Sequence, residues 1–172
     1  MREAVAASEI VARNKLAIVN ALKEIGAISA LMEYKGEGDS GYTESIVVEF
    51  PVPADDSSAQ PNASSTECTI AEKTVRKDAT LVELEFGTKV SMFQLIGYRR
   101  PGSEPEEPEA EEMGLHDALD LFCDQLICLH GHRGYENNEG GGGEVTILVE
   151  TGMYVHDHHD YIVETIDDSH SG

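Results

Sequence analysis

The apolar residues of this chain change period along its length, and that change limits the fold more than any other feature. From Glu3 to Ile25 they recur at helical spacing, with Val11, Ile18, Leu22 and Ile25 on one face and Arg13, Lys15, Asn20 and Lys23 supplying polar positions. Gly26 is placed to stop that helix. From Ile28 to Lys35 the period drops to two, through Ile28, Ala30, Met32 and Tyr34, the pattern of a half-buried strand. Gly36 to Gly41 reads as a turn. Glu44 to Phe50 then returns as the second strand of a hairpin, ended by Pro51 and Pro53 because proline cannot donate to a sheet ladder.

Ala54 to Thr66 is Ser, Asp, Ala, Pro and Gln, with little to bury. Thr80 to Phe86, with Val82, Leu84 and Phe86 on one side, and Lys89 to Tyr98 predict another strand pair about Gly87. Pro101 to Glu112 packs six glutamates and three prolines into twelve residues, the composition of a solvated linker. Flexible insertions are therefore expected at 54–66 and 101–113. A second helix is expected from Leu115 to Leu129, burying Leu115, Leu119, Phe122, Leu126 and Leu129 and turning Asp117, Asp120 and Asp124 outward. A glycine-rich loop from Gly131 to Gly143 follows. Val145, Ile147 and Val149 alternate as a strand, Thr151-Gly152 turns, and Met153 to Ile166 makes the last strand. This order predicts one α+β domain over residues 1–172. Its expected form is a mainly antiparallel sheet of about five to six strands with two helices on one face.

Charge narrows the function. The 172 residues hold 33 acids against 12 bases, a formal net charge of −21. The excess is uneven: residues 1–100 carry 15 acids and 11 bases, whereas residues 101–172 carry 18 acids and a single base, Arg133. Nucleic-acid affinity comes largely from Lys and Arg displacing counterions, so direct nucleic-acid binding is disfavoured, as is docking on anionic lipid. A basic protein partner, a bound cation and DNA mimicry remain compatible with it. No run reaches the 18 or so apolar residues of a membrane span. Glu3, Glu9 and Arg13 break the basic-then-apolar order of a signal peptide. Cys68, Cys123 and Cys128 are too few for a disulfide framework. The expectation is a soluble cytoplasmic protein.

The sharpest local motif is Gly134-Tyr135-Glu136-Asn137-Asn138-Glu139-Gly140-Gly141-Gly142-Gly143-Glu144. Oxygens of Glu136, Asn137, Asn138, Glu139 and Glu144 are hard ligands of the kind Ca²⁺ or Mg²⁺ accepts, although the spacing is not that of an EF-hand. The alternative is a long hairpin-entry loop whose Asn side chains cap backbone groups. Gly38-Asp39-Ser40-Gly41 echoes the loop around a serine-protease nucleophile, without the His and Asp that chemistry needs. Asp39 and Ser40 therefore read as a turn, or as a second polar loop meeting the first. In the last strand His156 and His158 share a face, and two imidazoles at i, i+2 can ligate Zn²⁺, with His130 and His132 available to add to them. Exposed edge-strand histidines are the alternative. Cys123 and Cys128 lie on the apolar helix and read as core.

Two segments taken together resemble the signatures of an uncharacterised bacterial domain family. Tyr34 to Glu49, with its Gly-Asp-Ser-Gly core, is similar to the first signature. Leu115 to Tyr161 is similar to the second, in which a helix leads into Gly-Trp-Glu-Asn-Asn-Asp/Glu-Gly and a terminal hairpin. Here Tyr135 stands where the family tends to have Trp, Gly142 stands where an aromatic is common, and the histidines replace a polar run. The resemblance implies a bacterial setting and a domain outline, and it singles out the loops around Asp39 and Glu136–Glu144.

No nucleophile–base pair, cofactor fingerprint or complete metal signature is legible, which lowers the expectation of an enzyme. The leading expectation is a non-enzymatic acidic accessory protein that engages a protein partner, with Asp39, Ser40, Tyr135, Glu136, Asn137, Asn138, Glu139 and Glu144 as contact residues. A divalent-metal site, structural or hydrolytic, is the second. It would use Ca²⁺ or Mg²⁺ at the acidic loops, or less readily Zn²⁺ at His156 and His158. DNA mimicry is the third.

Overall fold

In the computed structural model the described residues are 2–52, 74–95, 109–137 and 139–162. The elements run α1 (Arg2–Glu24), β1 (Ser29–Glu37), β2 (Ser40–Pro51), β3 (Thr74–Asp78), α2 (Ala79–Phe86), β4 (Lys89–Phe93), β5 (Ala110–Gly114), α3 (Leu115–Leu129), β6 (Gly141–Leu148) and β7 (Met153–Asp160). Five strands form one antiparallel sheet in the order β3-β2-β1-β6-β7, and β4 pairs with β5 in a separate two-stranded sheet. The α+β expectation holds, and the described residues form three helices where two were read and seven strands divided between two sheets.

Register explains the burial. Ala30, Met32 and Tyr34 of β1 lie opposite Val48, Ile46 and Thr43 of β2 and opposite Ile147, Val145 and Gly143 of β6. These positions share one face, and Ala30, Met32, Ile46, Val48, Val145 and Ile147 on it are all buried. α3 covers this face through Leu115, Leu119, Phe122 and Leu126, the stripe its helical period dictates. α1 packs on α3 and β4, while α2 fills the side between α3, β2 and β3. A polar clasp ties three of these elements together inside the core. Asn14 Nδ2 donates to Gln125 Oε1 and to the Phe93 carbonyl, both at 2.8 Å, and Phe93 N–H returns a bond to Asn14 Oδ1 at 2.8 Å. Asn14 and Gln125 are buried and fully partnered, as buried amides must be. The other face of the sheet carries Leu31, Glu33, Val47, Glu144, Leu148, Met153, Val155 and Asp157, all exposed or half-buried among the described residues.

Three expectations are corrected. Residues 80–86 form helix α2 and not a strand. Asp78 caps it by accepting from the Thr80 N–H at 2.9 Å, and Gly87 ends it in the left-handed conformation at φ +63°. β4 consequently pairs with β5 and not with residues 80–86. The linker expected at 101–113 lies outside the described residues as far as 108, but Ala110 to Met113 belong to β5. Gly141 to Gly143, read as loop, open strand β6. The insertion expected at 54–66 and the end of the last strand beyond 162 fall outside the described residues. Among the described residues no helix is long and apolar enough to cross a membrane.

Candidate functional site

The two loops singled out in the sequence meet in space. β1 and β2 turn through Gly38 and Asp39, with Asp39 itself at φ +71°. Its N–H donates to the Glu136 carbonyl at 3.1 Å, joining the hairpin tip to the loop after α3. Tyr135 holds the same contact from its side chain: its ring lies over Gly36 and Gly41 and meets Tyr34 edge-to-face at 5.2 Å. A Cβ at Gly36 would sit 2.6 Å from Glu136 Cα, so these glycines are required by the closeness of the loop. Asn137 shapes the loop through its backbone, donating to the Gly134 carbonyl at 3.0 Å and accepting from Gly140 N–H at 3.1 Å. Ser40 and Glu139 are exposed, and Asn138 lies outside the described residues. Glu144 is not part of this junction. It lies three residues into β6 from Gly141, about 10 Å along the strand.

Glu144 instead belongs to a row of carboxylates on the open face of the sheet. It stands directly opposite Glu33 of β1 on one side and Asp157 of β7 on the other. A bulge between Glu33 and Tyr34 leaves Glu44 as the extra residue of β2, and Glu44 joins the same group. Glu33, Glu44, Glu144 and Asp157 line a shallow cavity of about 390 Å³ with Lys35 and Tyr161. Lys35 is bridged to Glu37 at 3.6 Å, and that carboxylate raises its pKa, so its charge is already matched. Like charges directly opposite across a ladder destabilise a sheet. With strands spaced about 4.8 Å, the row spans about 10 Å, too wide for one ion to touch every carboxylate.

A third constellation lies on the helix-covered face. α3 ends in a Schellman turn, with Gly131 left-handed and His132 N–H donating to the Ile127 carbonyl at 2.9 Å. The turn sets His130 and His132 against β7. Tyr34 reaches the same strand from β1 because Gly143, its ladder partner, has no Cβ to stand in the way. The result is a hydrogen-bonded chain with one self-consistent assignment when followed from its carboxylate end. A carboxylate only accepts, so His158 Nε2–H donates to Asp160 Oδ1 at 3.2 Å and leaves His158 Nδ1 to accept from the Tyr34 hydroxyl at 2.7 Å. Tyr34 oxygen then accepts from His156 Nε2–H at 2.8 Å. His156 Nδ1 accepts from His130 Nδ1–H at 2.6 Å, and His130 Nε2 accepts from the Tyr154 hydroxyl at 3.2 Å.

This assignment makes His156 a neutral imidazole, donating from Nε2 and accepting at Nδ1, and its electrostatics agree. Burial, then the nearby His130, His132 and His158, push His156 down to about 4. Burial and the neighbouring His158 and His130 also lower His132, whose ring stacks on His158 at 3.9 Å. Burial raises the Tyr34 phenol and carries Tyr135 up to about 12. Cys123, buried under the same cluster, is pushed up to about 12 by burial and by Asp124 and Asp120, so it is an inert thiol.

His156 and His158 do share a face, as their spacing predicts, but the Tyr34 hydroxyl stands between their facing nitrogens. Among the described residues no three His, Cys, Asp or Glu side chains converge as a metal site. Sequence reading missed Tyr34, Tyr154, Glu33 and Asp157. Their grouping depends on the β1–β6–β7 register, which alternation within a single strand does not supply. Compared with protein families, curated proteins and solved structures, the chain has no match.

Proposed function

We propose that this chain is a non-enzymatic bacterial binding protein of the cytoplasm, whose open sheet face takes a cationic protein segment. The observation that carries the reading is the cross-strand row Glu33–Glu144–Asp157, with Glu44 beside it, in one cavity. A row of like charges opposes folding, and it is relieved when a cationic group lies along it. The row's length of about 10 Å matches an extended chain of basic side chains better than a single ion. Leu31, Val47, Val155, Leu148 and Met153 extend from one side of the row as half-buried or exposed apolar surface on the same face. Such a mixture suits a basic amphipathic segment. The net charge of −21 would speed its approach.

The test uses a fluorescent arginine-rich peptide and follows its anisotropy as the protein is added. Affinity should fall at least about tenfold between about 20 mM and about 150 mM salt. Failure to bind at low salt, or binding indifferent to salt, would remove the reading.

A further inference from the structure

We propose that the contact between His130 and His156 is an acid-released latch: a second proton on His156 breaks it and frees the loop after α3 from strand β7 and from the β1–β2 turn. Both nitrogens of His156 are committed. Nε2–H donates to the Tyr34 hydroxyl at 2.8 Å, and Nδ1 accepts from His130 Nδ1–H at 2.6 Å. A proton added at Nδ1 would confront another N–H with no acceptor between them. His130 can take a proton without breaking the chain, because its Nε2–H would then donate to the Tyr154 oxygen 3.2 Å away. His156 is the link that acid breaks.

The surrounding groups sharpen this conflict. From the loop, the His130 and His132 rings lie 4.9 and 5.6 Å from the His156 ring, and His132 also stacks on His158 at 3.9 Å. From β1 comes the Tyr34 hydroxyl, which gives its proton to His158. On β7 itself, Asp160 is engaged by His158, and Asp157 stands opposite Glu144 on the other face of the sheet. From α1, the Lys15 ammonium lies over the Tyr154 ring at 6.0 Å, and from α3 comes the inert Cys123 thiol. Burial and the three imidazoles therefore outweigh Asp157 and hold His156 down to about 4. With the loop lifted away, the ring meets water and returns toward its ordinary 6.5. The closed form thus keeps its full stability above about pH 6.5 and loses it about tenfold per pH unit as pH falls toward about 4. What moves is the loop that carries Tyr135 and Glu136, and with it goes the bond from Asp39 N–H to the Glu136 carbonyl.

The experiment follows amide hydrogen exchange of the full, untagged chain by NMR from about pH 7.5 to about pH 4.5. It compares the Asp39 amide, held by the Glu136 carbonyl, with the Ala30 amide inside the sheet, which reports opening of the whole fold. Asp39 should be less protected than Ala30 throughout, and its protection should fall about tenfold per pH unit below about pH 6.5. H130Q is an exposed change whose amide oxygen can accept the added proton, and it should reduce that fall at least about tenfold over the range. H156Q, which removes the titrating ring, should abolish most of it. H116Q, on the first turn of α3 beside Asp117, should leave it as in the native protein. Thermal unfolding at neutral pH verifies that each variant folds. Asp39 protection indifferent to pH, one common protection for Asp39 and Ala30, or an undiminished fall in either H130Q or H156Q would overturn the latch.

Discussion

Gly41 permits an alanine by its backbone, yet a Cβ there would run into the end of the Tyr135 ring, with Cε2 only 3.2 Å away. G41A should therefore cost about 1–3 kcal/mol in the native protein and close to nothing in a Y135A background. A double-mutant cycle in urea measures the coupling, and additive losses would show that Tyr135 does not rest on β2. Ser29 makes a second residue-scale prediction. Its hydroxyl donates to Glu49 and is the main force holding that carboxyl below its ordinary 4.5, with Arg76 assisting against burial. A carboxyl lowered by folding stabilises the fold above its unfolded pKa and loses that contribution as pH falls through its folded value. S29A should thus cost about 1–2 kcal/mol near neutral pH, a cost that shrinks as pH falls below 4.5 and through the lowered folded pKa of Glu49. Urea midpoints of the two proteins against pH test this, and a difference that persists in acid would contradict it. At this scale the sequence revealed the glycines but not their purpose. Gly143 reads as loop until the register shows Tyr34 lying across it.

Elements were legible where a long period had room to repeat. α3 runs from Leu115 to Leu129 as its stripe of Leu and Phe dictates, α1 ends within a residue or so of its expected stop, and the β1–β2 and β6–β7 hairpins follow from alternation. α2 was not legible in this way. Val82, Leu84 and Phe86 alternate like a strand, but only Ala79 and Val82 are buried, at the i, i+3 spacing of a helix. Leu84 and Phe86 point outward, 78% and 45% exposed. In two turns the caps outweigh the pattern: Asp78 and Gly87 bracket the helix at either end. D78A should cost about 1 kcal/mol of stability, read as a lower denaturant midpoint without a change in slope. No loss would mean that packing alone holds α2 in place.

At the scale of the whole molecule, charge and fold are arranged together. In the sequence the acidic excess belongs to the C-terminal half, yet the sheet brings Glu33 and Glu44 from the N-terminal hairpin beside Glu144 and Asp157. Halving the chain by composition could not foresee that, because it depends on β1 lying between β2 and β6. The row opposes folding on its own, so E144Q should raise stability by about 0.5 kcal/mol at low salt, a gain that shrinks as salt is added. Thermal midpoints of the two proteins across a salt series measure it, and a destabilised E144Q would mean that the carboxylates are not in repulsion. The same substitution should weaken capture of a cationic segment, placing stability and binding in opposition at one side chain.

The most direct measurement compares arginine-rich peptide binding by the native protein, by E33Q/E144Q/D157N and by a control, E9Q/E111Q/E112Q, which removes as much charge from exposed positions on α1 and β5. The expected result is near-native affinity in the control and a loss of at least about tenfold in the row variant at the same salt. Equal losses in the two variants would show that net charge alone draws the peptide, and would contradict a cationic site on the open face of the sheet.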